Sequence, residues 1–478
     1  MYETLKQKLG ERASDAPMER ALYSRDLAPV PSLVVESLFR TMPDLVVRPA
    51  NDDEIADVMR TAHRKSIPVT PRAGGSTVYF NSVPVKGGIV MDLNLIQGVV
   101  DLNENAMTVK VRAATTFEAL ESWLNKHGMA CQSMPSSAPV ATVGGWLNTM
   151  GYGIGSLKYG SLASQVRSID VVLPDGRKKH LTRVSNPSIR DYGGSDGTLG
   201  IVTQIELDVR KQSPMAHYLV HVQDARQTGA VMNALCSRGT LPYHMHFADA
   251  PYLHSLGALG YSLGNIADGS LVAVDFEGAE SELARAKCSV EDVVGSNADL
   301  SLLPEDMADM EWNERFRAIR IKRGGPSLLG AEMTLPTFRL TVYLDDIRES
   351  GKRFGFEPLI YGHACPNHHV TVMTVFTADE TKTLPYIINL SLVKKIHDAG
   401  RRNGGVPYGT GLWNTPYLHR IVEKKELENM RKLKSNVDPS GIMNPGKTYR
   451  APFLFNRPGF AIGNNVLAEV RRLVRIKG

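Results

Sequence analysis

Three glycine-rich turns, each set where an apolar strand ends, constrain this chain more than any other feature. The first is Pro71-Arg72-Ala73-Gly74-Gly75-Ser76-Thr77, which follows the apolar run Ile67-Pro68-Val69-Thr70. The second extends over residues 131–165 and holds Pro135-Ser136-Ser137, Ala141-Thr142-Val143-Gly144-Gly145 and Tyr159-Gly160. The third is Gly193-Gly194-Ser195-Asp196-Gly197-Thr198-Leu199-Gly200, which feeds the run Ile201-Val202-Thr203-Gln204-Ile205. A strand entering such a turn presents several bare backbone N–H groups to one point, and such a nest holds phosphate oxygens without lysine. Glycine allows both the close approach and a positive φ. A lone Gly-Gly turn in a structural loop would read the same way. Three of them along strand ends suit one large ligand, such as an extended dinucleotide. None is a G-x-G-x-x-G between strand and helix, and the P-loop pattern is missing.

The surrounding pattern predicts an α+β domain. Strands are expected at 45–48, 67–70, 88–93, 107–112, 169–173 and 201–207. Helices are expected at 53–63 and, capped by Thr116 and ended by Gly128, at 117–127. At 478 residues the chain exceeds a single core. The expected division is a domain at 1–212 that carries the three glycine-rich turns, a second, cap domain at 213–400, a C-terminal segment at 401–447, and a basic amphipathic tail at 448–478. In the cap, strands at 218–222, 271–276 and 370–375 and helical patterns at 281–294 and 337–351 suit an antiparallel sheet covered by helices.

The net charge of +5 is concentrated at the end. From Lys447 onward, seven Lys/Arg face only Glu469, so this segment carries +6 and the rest −1. A body near neutrality disfavours nucleic-acid binding. Cys131, Cys236, Cys288 and Cys365 form no CxxC pair, which argues against an Fe–S or cysteine–zinc site and suits a reducing compartment. No apolar run approaches a membrane span, and the N-terminus reads as a polar helix rather than a signal peptide. The expected location is cytoplasmic, with peripheral contact to the inner face of a membrane as an option for the tail.

In order, the chain carries Val46-Val47-Arg48-Pro49, the 72–77 turn, Pro135-Ser136-Ser137 with Ala141 to Gly145, Tyr159-Gly160, Val171 to Gly176, Gly194 to Thr203, and the closing Asp438-Pro439-Ser440-Gly441-Ile442-Met443-Asn444-Pro445-Gly446-Lys447. This series resembles the FAD-linked oxidases with a vanillyl-alcohol-oxidase (PCMH-type) flavin domain, and more closely their D-lactate dehydrogenase and glycolate oxidase flavoprotein branch. The resemblance covers residues 20–448. It implies an extended FAD with its pyrophosphate at Arg72, Ala73, Gly74, Gly75, Ser76 and Thr77. Pro135, Ser136, Ser137, Thr142, Gly144 and Gly145 would line the ribityl and isoalloxazine end. The motif residues Tyr159, Gly160 and Gly197 belong to the same cofactor set. Gly200, Ile201 and Val202 would offer backbone groups, and Asn444 would return from the C-terminus. Relatives with a histidine-linked flavin carry that histidine where this chain has Ser76, so the FAD is expected to be non-covalent.

Hydride removal from an alcohol needs a base for the hydroxyl proton and, for an acid, a cation for the carboxylate. Trp312-Asn313-Glu314-Arg315 resembles the family's W-x-x-R, which makes Arg315 the carboxylate candidate. The lysine that assists it in some relatives falls at Gly330. A surface arginine within the basic run 315–323 is the alternative. The family's metal-binding GHAGDGNLH becomes Gly362-His363-Ala364-Cys365-Pro366-Asn367-His368-His369, one residue short. Its E-H-G-I-G becomes Pro407-Tyr408-Gly409-Thr410-Gly411. With the carboxylate ligand lost, no metal is expected, because two histidines seldom suffice. His369 or His368 could take the hydroxyl proton, since imidazole titrates near neutrality. His363 could face His369. Tyr408 could act as a base with help, or bond a hydroxyl or phenolate.

The expectation is an FAD-dependent dehydrogenase acting on a 2-hydroxy acid such as D-lactate or glycolate. Metal-independent oxidation of a phenolic or other alcohol, or a flavin electron-transfer subunit with a decayed substrate site, are the alternatives. Lacking Fe–S cysteines, the chain would pass electrons to an Fe–S subunit or an electron-transferring flavoprotein, or react with oxygen. Homo-oligomerisation is compatible with the sequence and not required by it. In the tail, residues 451–458 read as extended. Asn464 or Asn465 would cap a helix at 466–477 with Val466, Leu467, Val470, Leu473 and Val474 on one face, docked on its own body or offered to a redox partner or anionic membrane.

Overall fold

The computed structural model describes residues 2–29, 36, 38–261, 263, 268–449 and 457–474, with the side chains of 457–463 and 474 excepted. Two compact units are each assembled from separate stretches of chain. The first takes Met1–Gly151, Ser161–Lys211 and Gly409–Asn456; the second takes Tyr152–Gly160, Gln212–Tyr408 and Arg457–Gly478. One division falls at Lys211/Gln212, beside the expected 212, while residues 152–160 go with the second unit and the return to the first begins at Gly409.

The first unit holds two sheets. The smaller contains β1 (Ala13–Ser14), β2 (Leu45–Val47), β3 (Val69–Arg72) and β4 (Ile89–Asp92) in the order β1-β2-β4-β3, with β2, β4 and β3 parallel. The helix Asp52–Arg64 supplies the crossover. Asn51 caps it by accepting from Glu54 N–H, three acidic residues fill its first turn, and Ile55, Val58, Met59 and Ala62 are buried at helical spacing. The larger sheet contains β5 (Val99–Asn103), β6 (Thr108–Arg112), β7 (Met129–Cys131), β8 (Val166–Val172), β9 (Lys178–Thr182) and β10 (Ile201–Lys211), all antiparallel where paired. The C-terminal segment joins the smaller sheet: Val69 N–H donates to Ile442 O and Asn444 N–H to Val69 O, each at 2.8 Å.

The second unit is built on one antiparallel sheet of β11 (Met215–Val222), β12 (His244–Asp249), β13 (Ser270–Glu277), β14 (Leu300–Leu302), β15 (Ser327–Pro336), β16 (Leu359–Cys365), β17 (His369–Ala378) and β18 (Val406–Pro407), ordered β14-β11-β13-β12-β16-β17-β15-β18. Alternation makes its two faces different. Val220, Val274, Met245, Phe247, Ile360, Val372 and Met333 point into a core closed by the helices Thr228–Ser237, Glu280–Gly295, Leu340–Phe354 and Thr383–Arg402. The opposite face carries His217, Asp275, His244, His246, His363, Thr371 and Glu332, as the cross-strand register requires. At one end of it, Leu219, Ala273 and Met373 pack under the helices Ala250–Gly257 and Glu305–Asn313.

The C-terminal helix runs Arg457–Val474, starting earlier than the expected 466–477. It docks on the second unit through Ala468 and Arg471, which are buried, while Val466, Val470 and Leu473 are 57%, 37% and 75% exposed. Three residues of the expected apolar stripe, Val466, Val470 and Leu473, therefore face outward. The reason is local: Phe354 O and Gly355 O, at the C-terminal end of the helix Leu340–Phe354, need donors, and Arg471 supplies both at 2.9 Å. Residues 451–456, Arg475 and Lys477 lie outside the described residues, as does the side chain of Val474. Among the described residues no helix is long and apolar enough to cross a membrane.

Candidate functional site

In the first unit, β3 carries the chain from a buried start into an accessible turn: Val69 and Thr70 are buried, while residues 71–79 are all partly or fully exposed. Gly74 and Gly75 are required by this geometry. A Cβ on Gly74 would stand 2.1 Å from Val140 O, so the turn lies against the 135–142 loop with no room between. Gly75 has φ +59°, and its Cβ would meet the Arg72 guanidinium at 2.6 Å. Arg72 is folded back: it donates to Arg25 O and lies 5.4 Å over the Tyr23 ring. Thr77 donates to Asn81 Oδ1, and Ala73 and Ser76 complete the partly exposed turn.

The other glycine clusters converge on the same turn. A Cβ on Gly197 would meet Pro71 Cγ at 2.7 Å. Asp196, buried beside it, accepts from Thr410 Oγ1 at 2.7 Å and Gly411 N–H at 2.9 Å, and also from Asn81 and Thr448. Burial pushes its carboxyl up against these donors. Asn444 donates to Asn81 O and Asp196 O at 2.9 and 2.7 Å, and its buried Oδ1 has no partner. Ser136, Ser137 and Gly145 are accessible, whereas Pro135 and Gly144 are buried. Thr142 accepts from Gly145 N–H as the cap of the helix Val143–Thr149. Gly200 precedes Ile201 and Val202, which sit in the ladder opposite Val172 and Val171. An accessible turn with no room for a Cβ at Gly74 or Gly75, together with the accessible Ser136 and Ser137 and the unsatisfied buried amide oxygen of Asn444, fits an FAD. Tyr159 and Gly160 belong to the second unit, where Tyr159 donates to Glu277 Oε1 at 2.5 Å.

The second unit gathers its chemistry on the polar face of the sheet. Arg315 follows the helix Glu305–Asn313. Its guanidinium lies 4.3 Å from the Trp312 ring and 4.5 Å from Phe316, and donates to Trp312 O at 2.8 Å. It is therefore a half-buried, oriented cation rather than a loose surface charge. Trp312 in turn stacks on His217 at 4.8 Å. No side chain could stand at Gly330: a Cβ there would come within 2.3 Å of Thr374 O.

His363 and His369 do not form a pair. His369 opposes Cys365 across β16 and β17, bonds Asn367 O through Nδ1 at 2.9 Å, and lines a cavity of about 320 Å³ with Met232 and Cys236 from the apolar side. His368 lies in the same cavity wall. His363 opposes His246 on β12 instead. Among the described residues no hydrogen bond or ring contact joins His363 to His369. The His363 ring has a buried Nε2 without a partner, and burial, then His246, push its pKa down to about 4. It is neutral at pH 7.

Tyr408 is also not poised as a base. Its hydroxyl accepts from Tyr152 N–H at 2.9 Å and donates to Tyr152 O at 3.2 Å. Burial, then the Glu332 carboxylate, hold it well above the ordinary phenol value. It stays protonated and braces the 152–160 segment.

Sequence reasoning missed the residues nearest His363. His244 and His246 lie two apart on β12, so both rings leave the same face. His246 Nε2 meets Glu311 Oε1 at 2.9 Å, and Glu311 also takes Arg317. Burial opposes the Glu311 charge, but His246 and Arg317 outweigh it and hold the carboxyl at about 2. His244 is depressed well below its ordinary value by burial, then by His246, His363 and Arg315. Asp275, cross-strand from His244, binds His217 Nδ1 at 2.7 Å through Oδ1. The signal was available: His-x-His in a short alternating run places two imidazoles side by side on one strand face.

Comparison with known proteins places both units. The family profile described as "FAD binding domain" matches residues 43–182, and that described as "FAD linked oxidases, C-terminal domain" matches residues 211–448. The glycolate oxidase subunit GlcD of Bacillus subtilis is 24% identical over 92% of this chain and 94% of its own length. The mitochondrial D-lactate dehydrogenase [cytochrome] of Arabidopsis thaliana is 23% identical over 85% of this chain and 73% of its own. Among solved structures, 4-ethylphenol oxidase from Gulosibacter chungangensis in complex with isoeugenol superposes with a TM-score of 0.78 at 15% identity, covering 94% of this chain and 97% of that one. That likeness establishes the fold.

Proposed function

Because this chain belongs to the FAD-linked oxidases, we propose that it is an FAD-dependent dehydrogenase that oxidises a 2-hydroxy acid of the D-lactate or glycolate type to the 2-oxo acid. The observation that carries this reading is the Arg315 guanidinium, fixed between two aromatic rings on the same side of the sheet as the neutral imidazole of His363. Arg315 would bind the substrate carboxylate and so orient C2. His363 Nε2, neutral and unpartnered, would accept the hydroxyl proton while the C2 hydrogen leaves with its electron pair. Bound FAD supplies the two-electron acceptor. Its first-unit seat would be the 72–77 turn with Ser136, Ser137, Gly145 and Asn444. The FAD would be non-covalent, with Ser76 in the position a histidine would need.

Electrons must then leave the protein. All four cysteines are free. A separate redox protein is the natural acceptor, and the Arabidopsis relative, a D-lactate dehydrogenase [cytochrome], is named for a cytochrome in its own case. The phenolic alternative would use Tyr408 to hold a phenolate, but that hydroxyl is already committed to Tyr152. Anaerobic titration of the FAD-loaded protein with D-lactate, glycolate and 4-alkylphenols tests the reading. Flavin bleaching by the hydroxy acids alone supports it. Bleaching by phenols alone, or by neither class, overturns it.

A further inference from the structure

We propose that His244, His246 and Asp275 form a site for one divalent transition-metal ion on the polar face of the eight-stranded sheet. The three side chains each offer a ligand atom within 4.8 Å of the other two, and all three residues are buried. Each also carries a buried atom without a hydrogen-bond partner: His244 Nδ1, His246 Nδ1 and Asp275 Oδ2. Buried polar atoms are almost always satisfied, so three vacant acceptors at one place call for a common partner. A cation meets that need; a hydrogen-bonding side chain would have to reach all three.

The outer contacts have the form that metal ligands require. A ligating imidazole normally gives its other ring N–H to a carboxylate, which fixes the tautomer and leaves a lone pair for the metal. His246 does this through Nε2 to Glu311 at 2.9 Å, and Arg317 in turn holds Glu311. The second oxygen of Asp275 is likewise held, by His217 at 2.7 Å, and His217 is fixed by stacking on Trp312. Two imidazole nitrogens and one carboxylate oxygen suit zinc and the other borderline first-row ions, not calcium or magnesium. Three protein ligands leave room for a further one such as a water, while His363, cross-strand from His246, keeps its unpartnered Nε2 outside the ligand set.

This site lies on β12 and β13, beside β16 and β17, which carry the family motif. His369 and Pro407 take no part, and the set could not be found by aligning the damaged histidine motif. The inference stands on the side chains of the second unit alone and does not depend on the substrate assigned above.

The test uses the full-length, FAD-loaded protein, stripped with a chelator and then given Co(II) in slight excess, with visible d–d absorption and metal analysis as readouts. One Co(II) per chain, displaced by Zn(II), is expected. His246→Gln and Asp275→Asn should each lower the bound ion at least tenfold, while His369→Ala binds like wild type. Far-UV circular dichroism and flavin content establish that each variant is folded. Absence of a bound ion in the wild type overturns the proposal, as does full loading of folded His246→Gln and Asp275→Asn, or loss of the ion in His369→Ala. If both site variants fail to fold, His244→Gln takes their place, with the same two outcomes.

Discussion

Arg315 separates a site arginine from a surface arginine by what surrounds it. Its guanidinium is sandwiched by Trp312 and Phe316, so its plane is set before any ligand arrives. Arg315→Lys keeps the charge but loses the flat, stacked fork. It should raise the KM for a 2-hydroxy acid about 10–100-fold, roughly 1.4–3 kcal/mol, with a smaller change in kcat. An unchanged KM would return Arg315 to the surface run. Tyr408 makes the opposite prediction. Tyr408→Phe removes both bonds to Tyr152 and should cost about 1–2 kcal/mol of stability. The pH profile of flavin reduction should not move, because the hydroxyl never titrates near neutrality. A lost basic limb in that profile would restore Tyr408 as the base.

Elements tell how far pattern alone could reach. The helix Asp52–Arg64 and strands β3, β6 and β10 were legible because capping residues and apolar period agree. β12 was not, because His-Met-His-Phe-Ala-Asp alternates titratable and apolar residues, and its polar side is buried against Glu311 and Asp275 rather than facing water. β15 and β16 were read as motifs, not strands, since Gly330 and Gly362 break the apolar run; both glycines are needed where neighbouring groups leave no space for a Cβ. The C-terminal helix was misassigned in its face because it docks through Arg471, which donates to two backbone carbonyls, and not through the expected apolar residues Val466, Val470 and Leu473. One element carries a pH prediction. Asp249 caps the helix Ala250–Gly257, accepts from Tyr252 and Ile360 N–H, and is raised by burial to about 6. A carboxyl raised in the folded state favours folding below its unfolded value near 4, and this contribution is lost as pH rises through 6. The shift is worth about 3 kcal/mol. Asp249→Asn should therefore narrow the fall in stability between pH 4 and 7 in urea titrations; an unchanged fall would place the effect elsewhere.

For the whole molecule, the cofactor and the substrate were legible to different depths. The flavin unit announces itself because backbone geometry needs particular glycines at particular places, as Gly74 against Val140 O illustrates. The second unit does not, because its chemistry depends on which side chains share a sheet face, and that follows from the register of six strands. Hence His363 could be named, while its neighbours His244 and His246 and its separation from His369 could not. The central claim is hydride removal from C2 of a 2-hydroxy acid. It is tested most directly by anaerobic stopped-flow reduction of the bound flavin with D-lactate and with D-lactate carrying deuterium at C2. The account predicts that both reduce the flavin and that the deuterated substrate does so at least about twofold more slowly, as a C–H bond broken in the reductive step requires. No reduction by either substrate would contradict it.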